Sequence, residues 1–233
     1  MAYIIGVDIG TSGTKTVLFD ESGKVIASKT IEYPMYQPKN GYAEQDPKDW
    51  ANATVNTLKA VVSQSGVSKD DIKGIGLSGQ MHGLVMLDKD NEVIRNSIIW
   101  CDQRTAKEVE EMNAKLGERK LIEITANPAL TGWTAAKILW VKNNEPQNYE
   151  RCRHILLPKD YIRFILTGEY ATEVSDASGM QLLDVPNRCW SDEILSTLGI
   201  DKSLLGKVYE SCEVTGTLTK KMAELTGLNE GTI

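Results

Sequence analysis

Tyr3-Ile-Ile-Gly-Val-Asp-Ile-Gly-Thr-Ser-Gly-Thr-Lys-Thr-Val-Leu-Phe-Asp20 is the stretch on which the fold turns. Ile4, Ile5, Val7 and Ile9 form a short β-rich run, and Thr16 to Phe19 form a second. Between them Gly10-Thr-Ser-Gly-Thr-Lys15 supplies two glycines, three hydroxyls and one cation. Such a segment predicts a turn between antiparallel strands, with backbone N–H groups facing outward as anion donors. Asp8 stands among apolar neighbours in the first strand, where an unpaired buried carboxylate would be costly. A strand carboxylate beside a Gly/Thr/Ser turn is a workable way to hold Mg²⁺ and nucleotide phosphates.

Two familiar phosphate motifs are absent. Lys15 follows Thr14 without the Gly-Lys-Ser/Thr of a Walker A loop, and no G-x-G-x-x-G dinucleotide fingerprint is present. An ordinary hairpin with a flexible turn is what spacing alone leaves beside a phosphate site. The segment resembles the first phosphate-binding hairpin of the sugar kinase, actin and heat-shock chaperone ATPase superfamily. That resemblance implies an aspartate, here Asp8, that anchors Mg²⁺ through water. It also implies a turn, here Gly10, Thr11, Ser12, Gly13, Thr14 and Lys15, that touches the β- and γ-phosphates of ATP.

The 233 residues suffice for one large domain or two small ones with a sizeable core. Hydrophobic content of 41%, charged content of 25% and a net charge of −6 are those of a globular protein without a basic patch, so nucleic acid is not an expected partner. Cys101, Cys152, Cys189 and Cys212 are widely spaced, and His82 and His154 complete no zinc pattern. Four reduced cysteines, no signal peptide and no apolar run near the roughly 20 residues of a membrane helix predict a cytoplasmic chain with no membrane partner.

Further along, Val25–Ile31 reads as a third strand and residues 33–44 as a loop. Asp46-Pro47-Lys48-Asp49 opens a helix with a capping Asp and Pro at the first turn, and Gly66 closes it. Ile72–Leu77 reads as a strand. Val85–Ile94 echoes Val17–Ile26, each a hairpin turning at an acidic cluster. Ser97–Cys101 is an apolar strand. Helices are expected over 104–116, 134–142, 158–166, 190–198 and 218–225, the last two ended by Gly199 and Gly227. Asp176 falls in a loop of small polar residues.

Four further stretches carry a more specific resemblance. They are Gly79-Gln-Met-His-Gly83, Trp100-Cys-Asp-Gln-Arg104, Gly132-Trp-Thr-Ala-Ala-Lys-Ile-Leu-Trp-Val-Lys-Asn-Asn144, and Leu157 to Gly168 with Thr172 to Gly179. Together they resemble the FGGY carbohydrate kinases over essentially the whole chain, and Met81-His82 is similar to the branch that phosphorylates xylulose. The implied fold is α/β, a ribonuclease-H-like mixed sheet flanked by helices, as in a lobe of the actin-like ATPases. The implied site has Gln80, Met81, His82, Trp100 and Asp102 against the sugar. A histidine both donates and accepts hydrogen bonds, and an aromatic face stacks on a sugar ring. Taken without the resemblance, His82 is a satisfied core or loop histidine, Trp100 a strand-end aromatic and Asp176 a turn residue. Asp102 and Arg104 either orient the pocket or pair with each other. Lys137 and Trp140 read as packing and Trp133 as core.

The resemblance implies transfer of the γ-phosphoryl of ATP to a ketopentose, giving D-xylulose 5-phosphate. The rivals are an FGGY kinase for gluconate, ribulose or a deoxyketose, and a non-catalytic sugar- or nucleotide-binding relative, against which the retained Asp8 and turn argue. Residues 1–233 are expected to be the N-terminal sugar-binding lobe alone. The nucleotide-binding C-terminal lobe and the general-base aspartate are expected beyond Ile233, so the chain by itself should be inactive. The apolar face left open would then favour self-association as a homodimer.

Overall fold

The alternation of Ile5, Val7 and Ile9 with Ile4, Gly6 and Asp8 sets the first strand and, with it, the two faces of the main sheet. The structure, a computed structural model, describes residues 1–233. The chain begins β1 (Tyr3–Ile9), β2 (Gly13–Asp20), β3 (Val25–Glu32), β4 (Glu44–Gln45), α1 (Pro47–Ser65), β5 (Ile72–Gly79), β6 (Val85–Leu87) and β7 (Ser97–Ile98). It continues α2 (Ala106–Leu116), α3 (Glu118–Thr125), α4 (Thr134–Asn144), α5 (Pro146–Arg151), β8 (His154–Leu156), α6 (Pro158–Thr167), β9 (Ala171–Glu173) and α7 (Val174–Ser178). It closes with β10 (Leu183–Asp184), β11 (Cys189–Trp190), α8 (Asp192–Leu198), β12 (Lys207–Tyr209) and α9 (Lys220–Thr226).

The main sheet has the order β3-β2-β1-β5, antiparallel across the first three strands and parallel between β1 and β5. This is the expected mixed sheet with helices. Helix α1 starts where Asp46 accepts the Lys48 N–H (2.9 Å) and packs across β2 and β3. Its Thr57 hydroxyl accepts from Thr16 Oγ1 (2.7 Å) and donates to Thr54 O (3.0 Å), a buried relay that joins strand to helix. Ile5, Val7, Ile9 and Leu18 enter one apolar cluster with Trp50, Leu58, Ile162 and Leu166. A second cluster gathers Met112, Ile138, Leu139, Ile194 and Leu198 from α2, α4 and α8 with Leu182, which precedes β10. The opposite face of the main sheet, which carries Ile4, Asp8 and Lys15, is open, and Ile4 is 57% exposed. At the outer edge of β5, the Ile75 N–H donates to Ile233 O (2.7 Å).

Several expectations need correction. Trp190 lies in β11, not in a helix; α8 starts two residues later because the Ser191 hydroxyl caps it through the Ile194 N–H. Arg104 precedes α2 instead of lying in it, and its side chain is buried. The strand after 97 stops at Ile98, so Trp100 sits in the following turn. Asp176 lies inside the short helix α7, whose N–H groups at 175 and 176 are capped by the Glu173 carboxylate, not in a loop.

Candidate active site

The phosphate-type turn is shorter than its sequence suggests. Strand β2 begins at Gly13, so only Gly10, Thr11 and Ser12 form the turn. All three of their carbonyls are held from behind. Tyr33 Oη donates to Gly10 O (2.5 Å), Gln45 Nε2 to Thr11 O (2.7 Å) and the Tyr33 N–H to Ser12 O (3.4 Å). The Gly10 N–H is spent on Gly13 O (3.1 Å), whereas those of Thr11 and Ser12 have no partner. A turn with its carbonyls tied down and two adjacent N–H groups free has the polarity of an anion site.

Two members of the expected phosphate set are displaced from it. Thr14 is fully buried in β2 and its side chain faces the core, so its hydroxyl is not offered to a phosphate. Lys15 also lies in β2, exposed on the open face and in register with Asp8. Asp8 itself is exposed, which corrects the expectation of a carboxylate buried among apolar side chains. Its neighbours Val7 and Ile9 point the other way, as strand alternation requires. Asp8 makes no ion pair and faces the open side of the sheet with Lys15, Gly76 and Ser78. No group of three or more His, Cys, Asp or Glu side chains could cage a metal ion. One free carboxylate beside two free N–H groups suits a hydrated Mg²⁺ carried by a nucleotide, which keeps several of its waters.

The sugar-side residues follow β5. The Gln80 N–H still pairs with Ile9 O (2.8 Å), and its side-chain Nε2 donates to Gln45 Oε1 (2.9 Å). Gln45 is fully buried and all four of its side-chain hydrogen-bonding positions are used. Its Nε2 donates to Thr11 O and Pro34 O (2.7 and 3.3 Å), and its Oε1 accepts from Gln80 and from Trp50 Nε1 (3.3 Å). Gln45 therefore fixes the turn to the end of β5, a role that its place beside a predicted helix start did not disclose. Gln80 Oε1 is buried and unpartnered, an acceptor left over at the site.

His82 is half-buried and has φ 64°, the left-handed setting that residues with a Cβ seldom adopt. Its Nδ1 is 3.1 Å from Gly179 O and its ring meets Trp133 edge-on with centroids 4.3 Å apart. Burial, then the nearby Lys137 charge, lower its pKa below 6.5, so the ring is neutral at pH 7. Met81 is half-buried beside it. Trp100 is 47% exposed and its Nε1 donates to Thr11 Oγ1 (2.9 Å), so the aromatic wall and the turn touch directly.

Asp102 is corrected from a sugar contact to a structural group. It is fully buried, and its oxygens accept the Ala43 N–H (2.6 Å), the Arg104 N–H (2.9 Å) and the Arg104 guanidinium (2.7–3.0 Å). Of the two readings left open for Asp102 and Arg104, pairing is the one found. Asp176 is ion-paired with Lys159 (2.7 Å), which also holds Glu173 (2.7 Å). Trp133 and Gly179, absent from the expected sugar set, form the cradle of the His82 ring.

The comparisons with known proteins agree with this geometry. Residues 3–233 match the family model described as the FGGY family of carbohydrate kinases, N-terminal domain. The chain is 45% identical over 232 residues to a protein of Bacillus subtilis (strain 168) named Xylulose kinase, covering 100% of this chain and 46% of that protein. Among solved structures, a ligand-bound xylulose kinase from Lactobacillus acidophilus superposes with a TM-score of 0.93 at 31% identity, over 100% of this chain and 47% of the other. A gluconate kinase from the same organism also gives 0.93 at 31% identity, over 99% and 46%. The chain thus spans about half the length of the curated relatives it matches. With its mixed sheet, its hairpin turn and a match over nearly every residue, the chain belongs to the FGGY family of carbohydrate kinases, as an N-terminal domain.

Proposed function

We propose that this chain is the sugar-binding N-terminal lobe of a two-lobed kinase that phosphorylates D-xylulose at its primary hydroxyl, with ATP and Mg²⁺, to D-xylulose 5-phosphate. The observation that carries the reading is the Trp100–Thr11 hydrogen bond, which joins a sugar-facing aromatic to the phosphate-type turn. His82 takes a sugar hydroxyl, Gln80 Oε1 accepts from another, and Met81 and Trp100 supply apolar walls. The N–H groups of Thr11 and Ser12 receive phosphate oxygens, with Lys15 adding positive charge on the same side. Asp8 holds the water shell of Mg²⁺, and the metal supplies charge neutralisation for the phosphates when bound. Phosphoryl transfer asks for positioning and electrostatics more than for covalent chemistry from the protein. The names of the relatives favour xylulose.

A carboxylate must take the proton of the attacking hydroxyl. Beside His82 the carboxylates are committed, Asp176 to Lys159 and Asp102 to Arg104. On this reading, as the family resemblance implies, the base is an aspartate outside residues 1–233, and a second lobe closes over ATP. That lobe docks on the side of the main sheet left open here, and without it the face favours homodimer formation. A coupled assay of the two-lobed protein over a panel of xylulose, ribulose, deoxyketose and gluconate tests the reading. Xylulose should give the highest kcat/KM and residues 1–233 alone should give none. Preference for gluconate, or xylulose-dependent ATP consumption by residues 1–233 that Asp8→Asn abolishes, would overturn it.

A further inference from the structure

Lys137, on α4, is fully buried and forms no ion pair, an expensive setting for an ammonium group. Its Nζ donates to two backbone carbonyls, His82 O (2.7 Å) and Gly132 O (2.5 Å), and Thr134 Oγ1 adds a second hydrogen bond to His82 O (3.2 Å). Each carbonyl belongs to one wall of the site. The His82 carbonyl belongs to a residue held at φ 64°, a strained setting that persists only when its surroundings fix it. The Gly132 backbone lies so close to Trp100 that a Cβ there would stand 2.9 Å from Trp100 O. One Nζ group, with N–H donors in either protonation state, therefore spans the histidine wall and the backbone that supports the tryptophan wall.

The ring of His82 is constrained as well. Gly179 O can only accept, so the Nδ1 that faces it at 3.1 Å carries the proton and Nε2 keeps its lone pair. A Cβ at Gly179 would collide with this ring, so the cradle admits the imidazole only because residue 179 is glycine.

We propose that Lys137 is a positioning residue for sugar recognition, tying the His82 and Gly132 carbonyls together so that His82 stays in its left-handed setting with Nδ1–H on Gly179 and Nε2 presented as an acceptor. The inference rests on the reading of His82 as a sugar-binding residue. The ligand group that Nε2 takes is a hydroxyl that donates. A carboxylate oxygen in that position would face a lone pair.

Nitrogen-15 NMR of the imidazoles in residues 1–233 tests the positioning directly, because the chain has only two histidines and His154 serves as the internal control. At pH 7.5 the unmodified chain should show His82 in the Nδ1–H form. In Lys137→Met, which has no donor, that bias should be lost while His154 is unchanged. In Lys137→Gln, which keeps two N–H donors without the charge, it should be largely retained. In the two-lobed protein Lys137→Met should raise the xylulose KM by about 10-fold or more, with the ATP KM within about 2-fold of its original value. An Nε2–H tautomer in the unmodified chain, or an unaltered tautomer in Lys137→Met, overturns the proposal. Should Lys137→Met not fold, a folded Lys137→Gln without the Nδ1–H bias also overturns it. A tautomer that responds while the xylulose KM does not would keep the positioning role and remove the sugar from His82.

Discussion

Asp8 is both exposed and unpaired, so its removal has consequences for chemistry without consequences for folding. Asp8→Asn should leave the thermal unfolding of the chain unchanged, since no partner is lost. In the two-lobed protein it should reduce kcat at least ~100-fold, the scale of deleting a key electrostatic group. Near-normal turnover would remove Asp8 from the metal site. His82→Ala removes an acceptor from the sugar and should weaken xylulose binding by about 1–3 kcal/mol while ATP affinity barely changes. Equal losses for both ligands in a calorimeter would make His82 a structural residue. Both side chains were legible as candidates because few residue types do their work. Asp102 was misread because a carboxylate beside an arginine looks the same in sequence whether the pair faces a ligand or closes on itself.

The hairpin at 17–26 and its echo at 85–94 give the clearest element-scale result. In each, the Asp at the turn accepts two backbone N–H groups: Asp20 Oδ1 from Ser22 and Lys24 (2.9 and 3.1 Å), and Asp88 Oδ1 from Asp90 and Glu92 (2.9 and 3.1 Å). Each turn also contains one residue in the left-handed region, Gly23 at φ 83° and Asn91 at φ 64°. The sequence match between 17–26 and 85–94 thus corresponds to one turn chemistry used twice, since Asp and Asn or Gly at fixed offsets satisfy the same backbone groups. The pair of elements that matters most for the site is less local. Gln45, in β4, reaches the β1–β2 turn and the end of β5 at once. Gln45→Leu would leave Thr11 O without the amide donor and strand the buried donors of Gln80 and Trp50. Urea unfolding should show a loss of about 1–3 kcal/mol, the cost of a buried polar group left unpaired. A change under ~0.3 kcal/mol, within the range of ordinary surface substitutions, would mean that the amide does not hold the turn.

At the scale of the molecule, buried charges make stability depend on pH in two separate windows. Burial pushes the Lys137 pKa down to about 7 from 10.5. The nearby Asp102 and Cys101 oppose that shift and Arg104 adds to it. Between these values the unfolded chain holds the proton and the folded chain does not, so this group makes stability rise with pH from about 7 to 10.5. Lys137→Met should flatten that rise in denaturant titrations, and an identical slope in both proteins would contradict the shift. Glu173 moves the opposite way. Burial raises its pKa, but hydrogen bonds from Lys159, Ser211 and the Asp176 N–H outweigh it and hold the carboxylate down at about 2 from 4.5. Its contribution is present above pH 4.5 and is lost as pH falls towards 2, so Glu173→Gln should reduce the slope of acid unfolding in that window.

The sequence by itself determined the strands of the opening hairpin, the third strand and the helix from Pro47, because alternation, turn residues and an Asp-Pro start are local signals. It determined the family as well, because four separated stretches matched together. Tertiary structure alone decided which of the marked residues face the site. Thr14 turned inward and Lys15 outward once β2 began at Gly13, since a shift of one residue in a strand exchanges its faces. Asp8 proved open because no element packs over its side of the main sheet, a property of packing that no single strand encodes. Lys137 and Gln45 carried no motif for their roles. His82 lies 55 residues from Lys137, and Thr11 and Gln80 lie 34 and 35 residues from Gln45, and hydrogen bonds of such span exist only after the two apolar clusters have brought those segments together.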